Sequence, residues 1–290
     1  MPIERKVRRI LDPSTTDAAE LYIDLLKKTL TRYAFPEHYR SLNPQARSRA
    51  AASMLLGAII RPLGLEVVRP VQIDLETRAT GRDWPPEAET MIGLRRLDNI
   101  QSCVESILAD GIRGDLIETG VWRGGATIFM RALLRVSAVD DRIVWVADSF
   151  EGLPPPDPDH HADAGDKHHQ KTELVVSLEE VQDNFRRYGM LDDNVRFLKG
   201  WFADTLPRAP ISRLALLRLD GDMFGSTIVA LEALYPKVQP GGFVIVDDYQ
   251  LEGARTAVDS FRNENKIADP LVDIDGEAVF WRRSGIEPAV

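Results

Sequence analysis

A chain of 290 residues is long enough to fold as one large domain around a buried core. With 44% hydrophobic and 28% charged residues it is neither a disordered nor a fibrous sequence. A net charge of −9, with lysines and arginines scattered and not gathered in a stripe, excludes the electrostatic footprint of a nucleic-acid binder.

The start, Met1 to Lys6, carries no apolar export core, and the best apolar run, Met54 to Ile60, is too short to span a bilayer. The expectation is a cytoplasmic protein with no membrane partner. Residues 1–110 read as helices without convincing strand alternation. Apolar side chains fall at helical spacing in Leu21 to Leu26, and again at Ile100, Val104 and Leu108. The single cysteine, Cys103, sits in that second helix with no cysteine or histidine ligand nearby, and reads as a reduced, partly buried thiol.

After residue 114 short apolar runs alternate with helical stretches. Strands are predicted at Asp115–Gly120, Ile143–Asp148, Val195–Leu198, Leu214–Asp220 and Phe243–Asp247, with a closing pair at Leu271–Ile274 and Ala278–Trp281. This is an α/β pattern: a Rossmann-like, seven-stranded, mostly parallel sheet ending in a hairpin-like edge. The expected organisation is a helical N-terminal extension over 1–84, serving as lid or oligomerisation element, followed by the sheet domain over 85–290. Within the latter, a loop at 153–172 has no periodicity. It begins Pro154-Pro155-Pro156 and holds His160, His161, His168 and His169, four of the five histidines in the chain. A loop of that length in a compact domain is read as a functional lid, the alternative being a solvated insertion.

The turn after the first strand, Glu118-Thr119-Gly120-Val121-Trp122-Arg123-Gly124-Gly125, has the small residues that let a backbone approach a ligand. Its spacing departs from the dinucleotide fingerprint, so a pyrophosphate cradle is disfavoured. Asp148 ends the second strand, where an acidic group commonly accepts ribose hydroxyls. Glu118 would complement a cationic sulfonium or amino group, unless it is merely a solvated strand end or a helix partner. Together these residues point to S-adenosylmethionine. Further on, Asp220 and Asp222 follow the fourth strand, and Asp247 and Asp248 the fifth, so four carboxylates emerge at neighbouring strand ends. Such a group repels itself unless a proton or cation intervenes, and its hard oxygens suit Mg²⁺ or Mn²⁺. Solubilising strand ends or helix caps are the alternative.

Several strings now assembled are identified as resembling the macrocin O-methyltransferase family, whose members methylate sugar hydroxyls of macrolide and aminocoumarin antibiotics. They are Thr90-Met91-Ile92-Gly93 with Arg96-Leu97-Asp98-Asn99, the 118–125 turn, Asp148-Ser149-Phe150-Glu151-Gly152-Leu153-Pro154, Gly200-Trp201-Phe202, Arg218-Leu219-Asp220-Gly221-Asp222, and Gly241 to Tyr249. The similarity covers about residues 85–283, with a weaker match from Leu21 to Arg32. It implies a class I methyltransferase fold and a Mg²⁺ site at Asp220, Asp247 and Asp248. It implies cofactor contacts from Thr90, Met91, Glu118, Thr119, Gly120, Trp122, Arg123, Gly124, Asp148, Ser149, Phe150 and Trp201, and Asp222 as general base, a role Asp220 could share. Gly225 departs from the pattern, which usually has an acid there. The resemblance also implies a homo-oligomer.

The leading functional expectation is therefore methyl transfer from S-adenosylmethionine to a sugar hydroxyl of a small-molecule glycoside. A nucleotide-linked sugar is the alternative acceptor. An NAD-dependent oxidoreductase is disfavoured by the missing Tyr-x-x-x-Lys pair, and a non-catalytic binding protein by the intact acidic cluster.

Overall fold

Leu116 and Ile117 are adjacent and both fully buried, yet each packs into a different hydrophobic cluster. This is the two-residue period of a strand covered on both faces. The computed structural model describes residues 13–35, 38–41, 60–65, 67–71, 74–158 and 160–285. Its elements in chain order are α1 (Pro13–Leu30), β1 (His38–Ser41), β2 (Val68–Val71), α2 (Leu75–Thr80), α3 (Leu94–Ala109), β3 (Asp115–Thr119) and α4 (Gly125–Val136). They continue with β4 (Val144–Asp148), α5 (Leu178–Arg187), β5 (Val195–Lys199), α6 (Phe202–Thr205), β6 (Leu214–Leu219) and α7 (Phe224–Leu234). The last are β7 (Val238–Val246), α8 (Glu252–Glu264), β8 (Val272–Asp273) and β9 (Val279–Arg282).

The main sheet has seven strands in the order β5-β4-β3-β6-β7-β9-β8. The five strands from β5 to β7 are parallel, and β9 and β8 close the edge antiparallel. One face carries Leu116, Val144, Val146 and Leu216 against α1, α3, α4 and α5; the other carries Ile117, Trp145, Leu217 and Val244 against α7 and α8. The fold class is as expected, a Rossmann-like α/β sheet. The chain builds outward from β3 through β4 to β5, then returns to lay β6 on the opposite side of β3. That reversal leaves a crevice at the carboxyl ends of β3 and β6, the usual ligand position in an open sheet of this kind.

Three details differ from the sequence expectation. The stretch read as wholly helical contains an antiparallel ribbon, with His38 opposite Val71 and Ser41 opposite Val68. Each arm is four residues long and polar or proline-bearing, too little for alternation to register. Cys103 is fully buried, and burial pushes its thiol up to about 12. On α3 the buried stripe is Leu97, Ile100, Val104 and Ile107, with Leu108 only partly covered. Residues 1–12 and 42–59, parts of the expected N-terminal extension, lie outside the described residues, as does Met54–Ile59 of the apolar run. Among the described residues no helix is long and apolar enough to cross a membrane.

Candidate active site

The turn from β3 into α4 is built around Gly120. Its φ is +82°, and a β-carbon there would lie 1.6 Å from the main-chain oxygen of Asp220. Only glycine lets the β3 and β6 ends approach so closely. The Asp220 amide donates to the Thr119 carbonyl at 2.9 Å and the Gly120 amide to the Ala147 carbonyl at 2.8 Å, so three strand ends are tied together. Gly124, also left-handed, starts α4. From β4, the Asp148 carboxylate accepts the amides of Val121 and Phe150, both at 2.8 Å, bridging the turns after β3 and β4. Burial raises its pKa against these hydrogen bonds.

These turns wall a cavity of about 350 Å³. Met91, Gly120, Trp122, Asp148, Ser149 and Trp201 line it together with Pro154, His160, Asp163, Gly225, Ser226 and Val229, with Asp220 and Asp222 also on the wall. The remaining residues expected to touch a cofactor do not line it. Thr90, Thr119 and Phe150 are buried, and Gly124 serves the helix start. The Arg123 guanidinium donates to the carbonyls of Pro86 and Ala88, holding the segment that leads to Thr90 and Met91.

Glu118 also stands behind the cavity. Its carboxylate is buried and bonded to the guanidinium of Arg218, and burial pushes it up to about 8 despite that partner. The charge that sequence reasoning aims at a sulfonium thus meets a guanidinium. Arg218, the penultimate residue of the fully buried β6, also reaches Asp220 at 2.8 Å and Asp247. Arg96 of α3 holds the other Asp247 oxygen at 2.6 Å, Asp275 at 2.7 Å and Glu277 at 2.6 Å. Neither arginine was assigned a role from sequence. The available signal was a lone Arg in Leu214-Ala215-Leu216-Leu217-Arg218-Leu219, because a charge inside an apolar strand must be paired.

The acids meet as expected. One oxygen from each of Asp220, Asp247 and Asp248 lies within 4.8 Å of the others. Burial, then the charge of Asp247, pushes Asp220 up to about 6. Burial, then Asp220, pushes Asp222 up to about 7, and burial with Asp222 beside it takes Asp248 well above the ordinary carboxylate range. Asp222 has a φ of +58°, an unusual conformation for a non-glycine residue, and its amide donates to Asp248 at 3.0 Å. Three hard oxygens that close, each holding protons more tightly than usual or clamped by guanidinium, form a donor set that fits a divalent cation.

The segment after β4 is strapped over the cavity at three points. The Trp122 indole donates to the Glu173 carbonyl at 2.8 Å, and Lys171 lies 4.5 Å above the Trp84 ring. The buried carboxylate of Asp163 accepts the first amides of α7, Phe224 at 2.7 Å and Gly225 at 3.1 Å. Four of the chain's histidines lie in this segment; His168 is held by Asp166 at 2.7 Å and His160 packs on Phe224.

Comparison with known proteins matches residues 19–283 to the family described as Macrocin-O-methyltransferase (TylF). A Streptomyces olivaceus enzyme, 8-demethyl-8-(2,3-dimethoxy-alpha-L-rhamnosyl)-tetracenomycin-C 4'-O-methyltransferase, is 50% identical over 93% of this chain and 95% of its own length. The mycinamicin III 3''-O-methyltransferase of Micromonospora griseorubida is 47% identical over 94% of this chain and all of its own length. Among solved structures, the O-methyltransferase NovP superposes with a TM-score of 0.77 at 45% identity, covering 92% of this chain and 99% of that one.

Proposed function

Because the chain belongs to the macrocin O-methyltransferase family and is an S-adenosylmethionine-dependent O-methyltransferase, we propose that it methylates a sugar hydroxyl of a glycosylated natural product with help from a divalent cation. The observation that carries this reading is that Asp220 and Asp222 line the same cavity as the turns after β3 and β4, with Asp247 and Asp248 grouped beside Asp220.

In this reading Met91, Gly120, Trp122, Asp148, Ser149 and Trp201 contact the cofactor, whose sulfonium supplies the methyl group. Thr90, Glu118, Thr119, Arg123, Gly124 and Phe150 shape that wall from behind. Asp220, Asp247 and Asp248 would hold Mg²⁺, which would supply Lewis acidity beside the acceptor hydroxyl. Asp222, half-buried with its pKa near 7, accepts the hydroxyl proton, its affinity being matched to transfer near neutral pH. Asp220 is the second candidate for that role. The 153–172 segment excludes water from the closed cavity. The extension before residue 85 serves oligomerisation, a reading supported by the exposed Leu21, Tyr22 and Leu25 on α1. Asp157 and Asp163 on the acceptor side favour a neutral glycoside over a nucleotide-linked sugar, whose diphosphate they would repel.

The test is methyl transfer from S-adenosylmethionine to two glycosides, mycinamicin III and 8-demethyl-8-(2,3-dimethoxy-α-L-rhamnosyl)-tetracenomycin C, with Mg²⁺ and with EDTA. Methylation of a sugar hydroxyl, lost with EDTA and restored by Mg²⁺, is expected. Activity unchanged in EDTA would overturn the metal role, and methylation confined to nucleotide-linked sugars would overturn the acceptor class.

A further inference from the structure

Gly225 occupies the first turn of α7, and its φ is not in the left-handed region, so the backbone there does not require glycine. Glycine is also a poor helix former compared with alanine. What it provides is space. A β-carbon would stand 3.3 Å from Nδ1 and 3.6 Å from Cε1 of His160, and both residues line the cavity.

That Nδ1 is buried and has no hydrogen-bond partner among the described residues. The nearest acidic oxygen, on Asp157, is 3.9 Å away, beyond hydrogen-bonding range. The ring is not loose. It rests on Phe224 with centroids 4.8 Å apart, and the His160 amide donates to the Asp157 carbonyl at 3.0 Å. The Asp163 amide donates to the His160 carbonyl at 3.0 Å, while the Asp163 carboxylate is fixed on the start of α7. A buried polar nitrogen held in place without a partner costs stability, and a ligand group that satisfies it recovers that cost.

We infer that His160 and Gly225 form an acceptor-selecting subsite: Nδ1 hydrogen-bonds a hydroxyl of the glycoside that enters the space left by Gly225. A hydroxyl both donates and accepts, so it serves either tautomer of the ring. This assignment rests on the glycoside reading above.

Steady-state kinetics with S-adenosylmethionine, Mg²⁺ and the same two glycosides tests it, using wild type, His160→Phe, His160→Asn and Gly225→Ala. Removing the ring nitrogen in His160→Phe should raise the acceptor KM about tenfold, leaving the KM for S-adenosylmethionine within about twofold. His160→Asn, which returns a polar atom near the Nδ1 position, should recover part of the loss. Gly225→Ala, whose methyl group fills that space, should raise the acceptor KM comparably while the KM for S-adenosylmethionine stays within about twofold. An active wild type whose acceptor KM is unchanged in His160→Phe and Gly225→Ala overturns this subsite alone. A wild type that binds S-adenosylmethionine yet methylates neither glycoside overturns the glycoside reading, and this inference with it.

Discussion

Gly120 and Asp220 touch through their backbones: a β-carbon on the glycine would fall 1.6 Å from the aspartate's carbonyl oxygen. The turn after β3, which walls the cavity, and the end of β6, which carries Asp220, are therefore one mechanical unit. Gly120→Ala forces them apart and adds strain at a positive φ. The expected cost is about 2–4 kcal/mol of stability, read from the urea midpoint, together with weakened S-adenosylhomocysteine binding by calorimetry. A variant with wild-type midpoint and affinity would contradict the contact.

Arg218 is itself buried and faces Glu118 and Asp247, both buried, and Asp220 on the cavity wall. Arg218→Met leaves two buried carboxylates, Glu118 and Asp247, and the half-buried Asp220 without it, a loss of roughly 3–5 kcal/mol. Adding Glu118→Gln to that variant should return part of the loss, since one orphaned charge disappears. Chemical denaturation of the four members of this cycle measures the coupling, and strict additivity would show that the two residues do not interact.

The acidic cluster sets a pH trend. Glu118 is raised from 4.5 to about 8, Asp222 from 3.8 to about 7 and Asp220 from 3.8 to about 6. The folded state consequently binds more protons than the unfolded state between about pH 4 and pH 8, and stability contributed by these groups is lost as pH rises through that window. Metal-free protein should melt at a lower temperature at pH 8 than at pH 6. Mg²⁺, competing with those protons, should raise the melting temperature more at pH 8 than at pH 6. Scanning calorimetry at both pH values decides the matter, and a Mg²⁺ shift that is larger at pH 6 argues against binding at these acids.

Asp163 joins the covering segment to α7 across a sequence gap of 61 residues. Asp163→Ala uncaps the helix and should cost about 1–2 kcal/mol. It should also speed amide exchange over residues 160–171 and at Phe224 and Gly225, while the strands β3 and β6 keep their protection. Uniform loss of protection across the sheet would mean that Asp163 serves the fold as a whole and not the cover.

Much of this architecture is legible in the sequence because it depends on local pattern. The runs at 115–120, 143–148, 214–220 and 243–247 announce buried strands, and acids at the ends of the last two announce Asp220, Asp247 and Asp248. What was not legible depends on partners distant in the chain. Nothing around Glu118 reveals that Arg218, 100 residues on, would take its charge. Nor does anything near Asp163 reveal that it caps a helix beginning at Phe224. The β1–β2 ribbon escaped for the opposite reason: its pairing is local to the N-terminal segment but its arms are too short and mixed to carry a period.

Arg96 has one further implication. Its guanidinium spans Asp247 at the end of β7 and the Asp275–Glu277 loop that joins β8 to β9. The closing hairpin is thereby coupled to the orientation of a carboxylate in the acidic cluster, although it contributes no residue to the cavity lining. Chimeras that exchange the tail between relatives would transplant a steering element along with it, so a junction placed after α8 preserves the strands but alters the aim of Asp247.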